Sequence, residues 1–187
     1  MPTALPLNDQ VEAPLQGDQA PPRPSYLSVV ADGVPPTLAA IPNWVTWQCQ
    51  LRHDRWTKRL TTAAGGSASV TDRSTWTSFD RAIAAYLRGG FAGVGWVLDG
   101  QPVTPDGLVV AGVDLDHVTD DAGRRVRARR IIDELQSYAE WSPSGTGVRI
   151  FCLAQPLQHG INRAGVELYT SKRFLTVTGR RLGVGDV

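Results

Sequence analysis

The 187-residue sequence predicts an α+β fold with a largely antiparallel sheet. Three observations predict it. Strand-like runs outnumber helical ones, only two stretches carry helical apolar spacing over several turns, and three strand runs follow the second of these with no helix between them. A succession of strands without crossover helices is what antiparallel pairing accommodates and parallel pairing does not. Hydrophobic residues make up 42% of the chain, enough to build the core of one domain.

The elements follow in order. Residues 1–25 hold six of the thirteen prolines and no aromatic residue, so this segment reads as a disordered tail. A folded domain is expected over 26–187. Val45, Trp47, Cys49 and Leu51 alternate with polar residues and mark a half-buried strand. A basic turn is expected next, from His53 to Arg59 and including Lys58, and Gly65-Gly66 reads as a loop. Ser74, Thr77 or Ser78 can cap a helix whose apolar positions are Phe79, Ile83, Tyr86 and Leu87, with Gly89-Gly90 ending it. Residues 94–98 form a short strand and 109–116 the central one. Asp120 or Asp121 opens a second helix running to about Tyr138, with Ala128, Ile131, Ile132, Leu135 and Tyr138 on its buried face. Strands at 147–153, 166–170 and 174–178 complete the pattern.

Composition narrows the functional classes. The formal charge is only +1, so total charge does not announce a nucleic-acid binder. Seventeen of the nineteen basic residues are Arg, the side chain whose planar fork suits phosphates and carboxylates. Two cysteines, Cys49 and Cys152, are too few for a disulfide framework or a four-Cys zinc site, and no zinc is expected. The sequence shows neither a signal-peptide pattern nor an 18-residue apolar run, so the expected location is the cytoplasm, with no membrane partner.

The central strand is the most informative segment. Residues two apart on a strand share a face, so Asp114 and Asp116 project together while Val113 and Leu115 point into a core. Two like charges about 6 Å apart repel by roughly 0.7 kcal/mol in water and about 3 kcal/mol at an effective dielectric near 20. A divalent cation between them removes that cost. Taken alone, such a pair is more often a turn cap beside an exposed Asp. Glu167 lies between Val166 and Leu168 and can join the same face. Three carboxylates can hold two divalent ions about 3.5–4 Å apart, the arrangement used for in-line nucleotidyl transfer. The alternative is Glu167 paired with an Arg across the sheet.

A second segment, Ser142-Pro143-Ser144-Gly145-Thr146-Gly147, offers hydroxyls and accessible backbone N–H groups that can wrap an anion, and Arg149 follows it on the next strand. A Gly-rich hairpin turn with an exposed Arg is the plain reading of the same residues. Arg124, Arg125, Arg127, Arg129 and Arg130 crowd the first half of the second helix, where they oppose the macrodipole. They read either as a surface for a polyanion or as a solvated face neutralised by Asp133 and Glu134.

Together these segments resemble the archaeo-eukaryotic primase superfamily, and within it the bifunctional primase/polymerase domains of phages and plasmids. The resemblance runs from about Trp44 to Gly179. It rests on Trp44-Val45-Thr46-Trp47, Trp56-Thr57-Lys58, the stretch from Ser69 to Phe79, Val113-Asp114-Leu115-Asp116-His117, Ser142 to Gly147, Glu167-Leu168-Tyr169, and Arg173 to Gly179. It implies an RRM-like sheet plus an accessory α/β unit, with the active site in the cleft between them. It implies that Asp114, Asp116 and Glu167 bind two Mg²⁺ or Mn²⁺ ions. Ser144, Gly145, Thr146, Arg149, Lys58 and Arg173 would contact the incoming nucleotide, and Arg124, Arg125 and Arg127 the DNA. Arg149 stands where the family commonly has a His; it stays cationic at all relevant pH values, so phosphate binding survives while any role for a neutral imidazole does not. The expected activity is primer synthesis and extension on single-stranded DNA from dNTPs or NTPs. A helicase domain is expected in cis beyond this sequence or in trans, since no P-loop is present. Two rival readings stand beside it: a non-catalytic single-strand-binding module, and a metal-dependent phosphodiesterase or nuclease using the same carboxylates.

Overall fold

The computed structural model describes residues 20–183 and 187. Most of the predicted tail, residues 1–19, lies outside them. Of its remainder, Pro21 accepts a hydrogen bond on its carbonyl from Trp56 Nε1 at 2.9 Å.

Nine strands form two antiparallel sheets among the described residues. The first contains β1 (Trp44–Arg52), β2 (Arg55–Thr61), β3 (Gly93–Asp99) and β9 (Ser171–Val177), in the order β2-β1-β3-β9. The second contains β4 (Val109–Leu115), β5 (Tyr138–Trp141), β6 (Val148–Ala154), β7 (Ile161–Arg163) and β8 (Val166–Tyr169), in the order β5-β6-β4-β8-β7. Three α-helices accompany them: α1 (Pro36–Ala39), α2 (Phe79–Leu87) and α3 (Ala122–Leu135).

Two apolar clusters hold these parts together. One joins Trp44, Val94, Trp96, Leu98, Leu175 and Val177 of the first sheet to Ala82 of α2 and Phe151 of the second sheet. The other packs Val113, Leu115, Ala139, Val148 and Ile150 of the second sheet against Ala128 of α3. The sheets meet closely at Gly112, where a Cβ would lie 2.4 Å from Leu175 Cδ1 and 3.0 Å from Leu98 Cδ1. Since Gly112 and Asp114 share a face, β4 turns its carboxylate towards the first sheet just beyond this close approach.

The structure corrects three details of the predicted elements. The segment expected as a basic turn is a hairpin: His53 and Asp54, at φ 46° and 57°, form a two-residue turn, and Arg55–Thr61 returns as β2. Such a turn needs positive φ at both central residues, which Asp tolerates. The second helix ends at Leu135, because Gln136 adopts the left-handed conformation at φ 46°. Tyr138 therefore opens β5 instead of lining the helix. Its spacing from Leu135 fits a helical face, and three residues of spacing cannot reveal an intervening reversal. Finally, Asn162 and its neighbours form β7, too short for any periodicity to be read.

Candidate active site

The register of the second sheet determines the site. Across its five strands, Glu140 pairs with Arg149, Arg149 with Asp114, Asp114 with Glu167, and Glu167 with Asn162. Direct cross-strand partners share a face. The sheet thus carries one transverse polar row, one residue per strand, with Val113, Leu115, Val148 and Ile150 on the opposite face against α3.

At the centre of the row Asp114 and Arg149 form an ion pair whose side chains are only 12% and 7% exposed. Burial lowers the Arg149 pKa to about 10, while the nearby Glu167 charge raises it. Arg149 is therefore charged at neutral pH. Its Nε is buried without a hydrogen-bond partner. Glu167 accepts from Asn162 Nδ2 at 2.7 Å and from Tyr169 Oη at 2.9 Å. Arg173 lies over the Tyr169 ring at 4.5 Å, donates to its hydroxyl at 3.0 Å and stands 3.6 Å from Glu167.

Asp114, Arg149, Glu167, Tyr169 and Arg173 line a cleft of about 190 Å³ between the sheets, with Lys58 from β2 and Phe174, Leu175 and Thr176 from β9 on the facing side. Lys58 keeps exposed surface, yet the surrounding protein desolvates its ammonium and Arg149 repels it. Its pKa falls to about 8, with Asp116 and Cys49 pulling the other way. Lys58 Nζ also sits 5.7 Å from the Trp47 ring centroid. The cleft thus presents three cations, Lys58, Arg149 and Arg173, around two carboxylates, which suits a polyanion.

Asp116 and the Ser142–Gly147 turn stand beside this cleft, outside its lining. Asp116 follows the end of β4, donating its N–H to the Gly165 carbonyl at 3.2 Å. The turn is braced by its own hydroxyls: Ser142 Oγ accepts from the Gly147 N–H at 3.1 Å, and Ser144 Oγ lies 2.9 Å from Thr146 Oγ1. Gly147 is required there, because a Cβ would lie 2.7 Å from the Leu115 carbonyl oxygen and 3.6 Å from Asp116 Cα. The turn and Asp116 are therefore neighbours at the same end of β4.

No family model matches the chain. A curated relative does: the DNA primase-polymerase of Nitratiruptor phage NrS-1 is 34% identical over 152 residues, covering 76% of this chain and 20% of that protein. Over most of its length this chain is similar to a phage DNA primase-polymerase. It spans about a fifth of the length of the relative it matches. The two antiparallel sheets with few helices agree with the primase-polymerase fold.

In this chain the Arg-rich helix makes intramolecular contacts. Arg124 pairs with the N-cap Asp121 at 3.1 Å and donates to the Asp116 carbonyl at 3.4 Å. Arg127 donates to the Ala164 carbonyl at 2.9 Å, and Arg129 pairs with Asp133 at 2.9 Å. Arg124 and Arg127 thus tie α3 to the end of β4 and to the β7–β8 turn. Arg125 is exposed on the same helix. Sequence reasoning named neither Asn162 nor Tyr169 as site residues, although both hold Glu167. It also passed over Thr176, whose buried, unpartnered hydroxyl belongs to a cleft-lining residue. Register assigns Asn162, alternation along β8 could have found Tyr169 two residues from Glu167, and only the packing of one sheet on the other assigns Thr176.

Proposed function

We propose that this chain is the catalytic domain of a DNA-templated nucleotidyltransferase that makes and extends primers on single-stranded DNA. The observation that supports it is the direct pairing of Asp114 with Glu167 on one face, at a cleft shared with three cationic side chains.

Asp114 and Glu167 suit a hard divalent cation in kind and direction, and Asp116 in kind. Asp114 and Glu167 face the cleft from adjacent strands, Asp116 lies two residues along, and a buried guanidinium already supplies positive charge at Asp114. Among the described residues, no three His, Cys, Asp or Glu side chains close on one point as they stand. Asp114, Asp116 and Glu167 are the residues that would hold Mg²⁺ or Mn²⁺. Such ions would lower the pKa of an attacking 3′-hydroxyl and neutralise charge on the transferring phosphate. The chain's own cations do the rest: Arg149, Lys58 and Arg173 orient the triphosphate, and the turn residues Ser144, Gly145 and Thr146 contact it from beside the end of β4. A single-stranded template, a dNTP or NTP, and a helicase in cis or in trans complete the proposed set of partners.

The test is a labelled primer-template incubated with Mg²⁺ or Mn²⁺ and nucleotides. Extension is the expected outcome, and Asp116→Asn combined with Glu167→Gln should reduce it by at least about 100-fold, the order of loss on removing electrostatic stabilisation of a transition state. These two are preferred over Asp114 variants because neither belongs to the buried ion pair. Full extension by the double variant would overturn the assignment. Shortening of the primer would favour a nuclease, and retention without turnover a binding module.

A further inference from the structure

The buried ion pair puts a protein cation on the carboxylate that the proposed ion would use. Asp114 and Arg149 are direct cross-strand partners, and little of either side chain is exposed. A divalent cation on Asp114, with Arg149 unmoved, would set like charges side by side where little water screens them. Arg149's other cross-strand neighbour cannot take it over. Glu140 is fully buried and already accepts from Tyr138 Oη and from the N–H groups of Thr178 and Gly179.

Arg149 is also under-used where it sits. It donates to Asp114 and to the Val148 carbonyl through Nη1, whereas Nε is buried with no acceptor. A guanidinium presents five N–H donors in a planar fork that matches a phosphate. Lys58 and Arg173 line the same cleft and would draw a phosphate to it.

Resting on the reading of Asp114 as a metal ligand, we infer that Arg149 and the divalent cation are alternative partners of Asp114. The guanidinium holds the carboxylate in the resting protein. An incoming phosphate satisfies the free edge of Arg149 and draws it away, which opens Asp114 to the ion. Metal and nucleotide binding are then coupled through one side chain, and the coupling is reciprocal. The arginine weakens metal binding until a nucleotide arrives.

The test reads metal binding directly, without nucleotide. Mn²⁺ affinity is measured by electron paramagnetic resonance of free Mn²⁺ for the wild-type chain, Arg149→Gln and Arg149→Gln/Asp114→Asn. Arg149→Gln should bind about tenfold tighter than wild type, within the roughly 5–150-fold range of coupled sites, and adding Asp114→Asn should abolish the gain. Equal or weaker binding by Arg149→Gln, with Asp114 still required, would overturn the exchange and leave the metal assignment standing. Binding indifferent to Asp114, or absent from every form, would remove the metal assignment and this inference with it. Should Arg149→Gln fail to fold, the ¹H–¹⁵N signal of Arg149 Nε in the wild type serves instead. A saturable shift on adding Mg²⁺ is expected, and an unmoved signal while Mg²⁺ binds would overturn the exchange.

Discussion

Glu140 shows how a single residue ties the two sheets together. It has no exposed surface, yet its carboxylate accepts from Tyr138 Oη at 2.5 Å and from the N–H groups of Thr178 at 2.9 Å and Gly179 at 2.7 Å. Those two residues immediately follow β9, so the side chain joins β5 of one sheet to the end of a strand in the other. Burial raises its pKa to about 7, although all of these hydrogen bonds favour the ionised form. A carboxyl whose folded pKa lies above its unfolded value contributes most below the unfolded value, near 4.5, and loses that contribution as pH rises through about 7. The loss is on the order of 3 kcal/mol. Urea denaturation at pH 4.5 and pH 8 should show wild-type stability falling by this order relative to Glu140→Gln, which has no titrating group there. Parallel pH dependences would show that the carboxyl does not titrate in this window.

At the scale of elements, the position of β4 decides the cleft. Gly112 lets β4 rest on Leu175 and Leu98, and Asp114 follows two residues later on the same face. Gly112→Ala introduces a methyl at 2.4 Å from a leucine methyl. Overpacking of this kind costs typically 1–3 kcal/mol. A melting temperature several degrees lower is expected, with nucleotide incorporation reduced because the carboxylates move away from Lys58 and Arg173. An unchanged melting temperature would mean that Leu175 yields freely. Helix α3 offers a second test. Asp121 caps it by accepting from the Arg124 N–H at 2.8 Å, and Arg127 ties it to the Ala164 carbonyl. Asp121→Ala should cost about 1 kcal/mol, read from the denaturation midpoint. Arg125→Ala, which removes an exposed cation, should leave that midpoint in place while weakening any contact of this face with single-stranded DNA. Unchanged DNA affinity at several salt concentrations would exclude Arg125 from the template surface.

At the scale of the whole molecule, the candidate site is a joint. Acidic residues come from the second sheet, Lys58 and Arg173 from the first, and a shared apolar cluster with Trp96, Phe151 and Leu175 sets their separation. Much of this was legible in advance. The period-2 pattern put Asp114 on the face opposite Val113 and Leu115 and placed Glu167 where it could join it, whereas Asp116, read onto the same face, follows the end of β4 and stands outside the cleft lining. The same rule set Arg149 opposite Val148 and Ile150. Other parts were hidden. The tie from Arg127 to the β7–β8 turn spans 37 positions of sequence, and the helix end before Tyr138 depends on one left-handed residue. Alternation tells which side of its own strand a residue takes. It does not tell which strand lies beside it.

The sequence by itself determined the α+β class, the central strand and the face that Asp114 takes on it, because these follow from local spacing and the geometry of one strand. Only the tertiary structure decided that Arg149 answers Asp114, that Glu140 is sealed beneath the end of β9, and that Lys58 lies across the cleft from the carboxylates. Those outcomes depend on which strands become neighbours and how two sheets pack, and burial then sets the strength of each charge interaction by removing the water that would screen it.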